Sequence, residues 1–234
     1  MTMKKIHILL AVQSLVAVLV SVNRLGNLTL GYVLPNEFLR WVDFNNMLVL
    51  PLISLSAFYL LKKALEHDSP RRESASHRTL NLLFLTGVYL LGASYGDHEV
   101  TNYLHARFCL EAPSSDLCRI VIFNDDEFSH WVFFTGFVLV NAALLFLQAV
   151  FPQRERLAGR DIALLIANAL FLGAGIFANL AFEVIGLDLY VVGLLAALSV
   201  VLLWRNRQQP LFVYYSAAYL LGLGATVFVK LLSG

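Results

Sequence analysis

Residues 121–150 read VIFNDDEFSHWVFFTGFVLVNAALLFLQAV. Three acids and a histidine stand at the start, and no charged residue follows Glu127 in the stretch. A helix needs about 20 apolar residues to cross the hydrocarbon core of a membrane. This stretch meets that length, and the polar group at its head is where function is sought.

Six further segments meet or approach the same length. With residues 121–150 they are 6–23, 46–63, 79–104, 162–185, 188–204 and 211–231. The composition agrees: 59% of the 234 residues are hydrophobic and 14% are charged. A soluble domain carries about a quarter charged residues, so lipid must cover apolar surface that so small a body cannot bury. The chain is expected to be an all-α polytopic membrane bundle of about seven transmembrane helices, forming one domain over residues 1–234. Lys4 and Lys5 precede the first apolar run as in a signal peptide, but Ser21-Val22-Asn23-Arg24 offers no small-x-small cleavage site. The run therefore reads as an uncleaved first span. The short Gly186-Leu187-Asp188 turn predicts a tight antiparallel pair of the fifth and sixth spans.

Basic residues orient the spans, because loops that stay in the cytoplasm hold the excess of Lys and Arg. With a cytoplasmic N-terminus, Lys4, Lys5, Lys62, Lys63, Arg71, Arg72, Arg78, Arg154, Arg156, Arg160, Arg205 and Arg207 lie inside, twelve of seventeen. The C-terminus is then expected outside, on the periplasmic, extracellular or lumenal face. Eleven of the sixteen acids gather on that outer side. Acids contribute little to topology, so the excess asks for another cause.

Cys109 and Cys118 share one short outer loop, where an oxidising compartment permits a disulfide. The bridge is expected, with two free thiols as the other reading.

Residues three and four apart share a helix face. At the end of the third span this aligns Ser94, His98, Asn102 and His105, with Asp97 and Thr101 beside them. At the start of the fourth, Asp126 and Glu127 lie four and three residues before His130. Asn179 and Glu183 close the fifth span, and Asp43, Asn45 and Asn46 open the second. All four groups fall at one membrane level. Ionisable groups in spans are costly and face a bundle interior, a cavity or each other.

His98, His130, Asp97, His105 and Glu183 form the expected ligand set for a divalent metal, zinc by donor type. His105 also reads as an interfacial histidine, and Glu183 as a plain helix-end acid. Asp126 and Glu127 are expected as general base and Ser94 as an oxyanion donor. Some acids at the head of the fourth span also serve as ordinary helix caps.

Other features carry less. His67 and His77 read as part of a solvated charged linker. Asn27-Leu28-Thr29 matches a glycosylation sequon. Gly173, Gly175, Gly222 and Gly224 read as close-packing positions, and Trp41, Trp131, Trp204 and Tyr190 as interfacial anchors. Lys230 reads as a snorkelling residue near the outer interface.

Ser94-x-x-x-His98 followed by Asp126-Glu127 resembles the CREST superfamily of seven-span metal-dependent hydrolases, which includes the alkaline ceramidases. Glu37-Phe38 and Asn45-Asn46-Met47-Leu48 are similar to the entry of that family's first core span, so the resemblance covers about residues 37–135. It implies a zinc-dependent membrane hydrolase. The family's late His-x-x-x-His, which supplies two zinc ligands, is absent, since no histidine follows His130. A zinc ion here must then draw on other ligands.

Three functions follow as expectations: a metal-dependent hydrolase or other lipid-modifying enzyme, a metal or cation binding or transport protein, and a non-catalytic subunit of a membrane complex. The expected partners are membrane lipids, among them a lipid substrate, and other protein subunits, with no nucleic acid.

Overall fold

The computed structural model describes residues 3–66, 74–111, 113–153, 155–182, 186–206 and 208–233. Seven helices in it are long and apolar enough to cross a membrane. They are α1 (Met3–Leu25), α2 (Trp41–Leu65), α3 (Ala75–Cys109), α4 (Asp116–Val150), α5 (Gly159–Phe182), α6 (Leu187–Arg205) and α7 (Pro210–Ser233). Among the described residues the only strand-like feature is one isolated bridge, Tyr32 to Arg40, in the connection before α2.

The helices form a closed ring in the order α1, α2, α3, α4, α6, α7, α5. Here the expected pairing of the fifth and sixth spans fails. α5 packs mainly on α7 and only lightly on α6. Small residues decide this, since backbones approach closely only where a Cβ is missing. A Cβ on Gly173 would stand 3.0 Å from the Ala218 carbonyl oxygen, and one on Gly222 would stand 2.5 Å from Ile176 Cγ2. Gly175 and Gly224 face open space, so only one glycine of each pair serves the packing.

α3 and α4 meet in the same way through Gly87 and Gly136. A Cβ on Gly136 would lie 2.9 Å from both the Gly87 carbonyl oxygen and the Leu91 amide nitrogen. Backbone atoms cannot step aside, so Gly136→Ala is expected to cost about 1–3 kcal/mol through overpacking. Gly224→Ala should be close to neutral. Unfolding of the two variants side by side in detergent measures the difference.

Polar side chains tie other seams. Ser14 donates to Asn168 Oδ1 at 3.0 Å between α1 and α5, and Ser54 donates to Gln13 at 2.7 Å between α2 and α1. His7 and Asp161 pair at 2.9 Å near the starts of α1 and α5, so these two helices run parallel.

At 35 residues each, α3 and α4 run well past the expected spans. The extra turns are amphipathic rather than uniformly apolar, and so lie outside what a hydropathy reading counts. At its start, α3 brings His77 into the protein. His77 is buried, 3.0 Å from Glu66, which also pairs with Lys62. The expected solvated linker is thus corrected at His77. The Ser74 hydroxyl caps α3 by accepting from the His77 amide, which begins the helix before the linker would have ended. His67 lies outside the described residues.

Candidate functional site

The far end of α3 and the first turns of α4 are joined by the Cys109–Cys118 disulfide. Three π turns gather at this end of the bundle, at Asn45–Val49, His105–Cys109 and Asn124–Phe128. A π turn takes one residue more than an α turn and is frequent at functional sites. Two of the three carry residues of the site.

Ser94 and Ser129 set the register between α3 and α4. The buried Ser94 hydroxyl donates to the Ser129 carbonyl at 2.9 Å, and the Ser129 hydroxyl donates to the Asp125 carbonyl at 2.7 Å. This places Asp125 against α3. Asp125 is 1% exposed, and its carboxylate lies between two imidazoles. His105 Nδ1 is 2.9 Å from Oδ2, and His98 Nδ1 is 3.1 Å from Oδ1. Asn102 Nδ2 reaches Oδ2 at 3.5 Å.

The rings' tautomers follow from these contacts. His98 Nδ1 also lies 3.3 Å from the Asp125 carbonyl oxygen. Carbonyl and carboxylate oxygens only accept, so both Nδ1 atoms carry the proton and both Nε2 atoms keep a lone pair. The contact between His98 Nδ1 and Oδ1 lacks the alignment of a hydrogen bond, so Oδ1 is a buried acceptor that no donor among the described residues satisfies. Asp97 Oδ2 is in the same condition. Buried anionic oxygens without donors are costly, and a cation relieves them.

His130 lies next to His98, with ring centroids 5.1 Å apart and planes inclined at 47°. Asp126 and Glu127 are exposed on the π turn. His105, Asp125 and Asp126 each offer a ligand atom, all within 4.8 Å of one another. Of the residues expected from sequence, Ser94, Asp97, His98, His105, Asp126, Glu127 and His130 therefore occupy one end of α3 and α4. Glu183 lies outside the described residues. The hydroxyl of Ser94 is directed at the Ser129 carbonyl.

Asp125 is the residue that sequence spacing passed over. Counting back from His130 selects Asp126 and Glu127, whereas the buried face of α4 runs through Cys118, Val121, Asp125 and Ser129. The signal was available in Cys118: a disulfide cysteine has to face α3, and seven residues on from it stands Asp125.

Two other buried acids of this end have cation partners of their own. Arg24 reaches the buried Glu99 at 2.6 Å, joining α1 to α3. Arg40 grips the buried Asp43 with two hydrogen bonds of 2.8 Å. That hydrogen bonding raises the Arg40 guanidinium further above its ordinary value. Asn46 accepts from Asn23 at 2.7 Å. The Asp43 and Asn46 group at the head of α2 thus holds helices together rather than entering the histidine cluster.

Comparison of this chain with family models, with curated proteins and with solved structures finds no match.

Proposed function

We propose that this chain is an integral membrane protein that holds a divalent metal ion at His105, Asp125 and Asp126, the ion taking the place of the Nδ1 proton between His105 and Asp125. His98 and His130 stand beside that site. One observation carries the reading: a fully buried carboxylate, flanked by two imidazoles, keeps an oxygen that no hydrogen bond satisfies. The donor set suits the group. Imidazole with carboxylate is a zinc-type combination, and three protein ligands leave a position open for water.

The reaction proposed is hydrolysis of an amphiphilic lipid. Held by these residues, zinc would supply a water whose pKa is lowered to about 7. Glu127, exposed beside Asp126, is placed to accept a proton at a carboxylate oxygen. Asp125 fixes the rings of His98 and His105, and Ser94 fixes Asp125 through Ser129. The likeness of Ser94, His98 and Asp126-Glu127 to the CREST hydrolases supports the same chemistry. The excess of basic residues at the opposite end supports a site on the non-cytoplasmic face.

Transport is the weaker reading. A second buried polar group exists at the opposite end, at Lys62, Glu66 and His77. Between the two groups, α3 and α4 pack directly on each other through Gly87, Leu91, Gly136 and Val140, so no path runs between those two helices.

The activity test uses purified protein in mixed micelles with long-chain amides and esters bearing a polar headgroup. Turnover is expected to disappear on chelation and to return with zinc. Glu127→Gln should lower the rate by about 100-fold or more, the range in which a general base contributes. Zinc competes with protons for imidazole and carboxylate, so affinity should fall on acidification. Turnover that survives chelation would refute the metal-dependent mechanism.

A further inference from the structure

The disulfide lies one turn from the site, and its surroundings differ from those of the rest of the fold. Cys109 and Cys118 form a small cluster with Val121, Leu104 and Ile122, separate from the main core. Cys109 is the last residue of the π turn that begins at His105. Beyond it, Leu110 and Glu111 are exposed and leave the helix. Helix ends with few buried contacts open most readily. The terminal turn carrying His105 continues the α3 backbone and is tied to other elements by the disulfide, whose Cys118 sulfur also lies 3.7 Å from the Phe108 carbonyl, by the His105 contact with Asp125, and by the hydrogen bond from Arg107 to the Glu37 carbonyl. Arg107 is exposed, and the Asp125 contact is the geometry to be maintained rather than its cause. The covalent bond is the restraint that remains.

We infer that the Cys109–Cys118 disulfide is a positioning element of the site: it holds the π turn of α3 against α4 so that the His105 imidazole stays on Asp125. The inference rests on the metal reading for its functional consequence, and on geometry alone for the placement of His105. Reduction of the bridge by a dithiol adds two electrons and two protons, yielding two thiols and the oxidised reductant. It frees the terminal turn while the main core, which contains neither cysteine, stays packed.

The test compares wild type with Cys109→Ser/Cys118→Ser, each with and without His105→Ala. Zinc affinity of the double-serine variant is expected to fall by about 10- to 100-fold, the loss typical when a ligand's support is removed. Adding His105→Ala in that background should then cost little, since the residue is already displaced. Helix content by circular dichroism should stay at the wild-type level. Nitrogen-15 NMR of the metal-free protein reads the placement directly. The His105 Nδ1 proton should be protected from exchange in wild type and exchange freely in the double-serine variant. A protected Nδ1 proton in that variant would overturn the inference whatever the zinc result, as would a full His105→Ala effect there. Zinc failing to bind wild type, with the NMR difference present, would instead count against the metal reading and leave the positioning role standing.

Discussion

Asp125→Asn is expected to remove the metal ion while leaving the helices in place. The substitution keeps the side-chain shape and the tie from Ser129 to the residue 125 carbonyl. It takes away the negative charge that both histidines face. An amide presents one oxygen, and its NH2 group would confront one of the two Nδ1–H groups, donor against donor. One ring must then turn or change tautomer. Loss of a direct ligand should weaken zinc binding by more than the roughly 10- to 100-fold of an outer residue alone. Competition against a fluorescent zinc chelator measures the change. An affinity within about twofold of wild type would show that Asp125 serves only to satisfy the histidines.

The second large effect is expected in stability. Glu99 is 3% exposed and its cation partner is Arg24, at 2.6 Å. Removing one partner of a buried pair leaves an uncompensated charge and costs about 3–5 kcal/mol. The Arg24 side chain is 44% exposed, so water can reach the pair and part of that cost is relieved. Arg24→Ala is therefore expected to destabilise by about 2–4 kcal/mol, still large against a total of about 5–15. Arg24→Ala/Glu99→Gln should recover much of the loss, because the neutral amide no longer needs a counter-ion. Unfolding in mixed micelles separates the cases. Equal destabilisation of single and double variants would mean that Arg24 contributes by packing and not by charge. Glu99 adjoins His98, so the pair also steadies the helix segment that carries the site.

Much of the architecture was legible because the membrane imposes a simple length rule. The seven apolar segments all became helices, and the cysteine pair became a disulfide. Neighbour relations were not legible in the same way. The short connection at Gly186 suggested that α5 and α6 would pair, but connection length limits only how far apart helix ends can be. Contact area is set by which faces admit a close approach, and Gly173 against Gly222 gave that to α5 and α7. His77 was misread for a related reason. It stands among charged residues in sequence, yet a Ser74 cap starts the helix early and turns His77 toward Glu66.

The site itself was half legible. Ser94, His98 and His105 follow a regular helical stripe, and spacing alone finds them. Asp125 sits in a π turn beside two other acids, so counting back from His130 picks its neighbours. Asp97-His98-Glu99 posed the same difficulty. Its acids stand near the C-terminal end of a helix and oppose the helix dipole; for Glu99 the compensating cation is Arg24, from a helix about 75 residues earlier in sequence. Such long-range partners have no local signature.

The central claim is that the buried Asp125 carboxylate and its histidines exist to hold a metal ion. The most direct measurement is elemental analysis of wild-type protein purified without chelator, joined to X-ray absorption at the edge of the metal found. The expected result is one zinc ion per chain with oxygen and nitrogen donors at about 2.0–2.2 Å. A metal content no higher than that of Asp125→Asn, even after incubation with zinc, would contradict the claim and leave the cluster as a self-contained polar contact between α3 and α4.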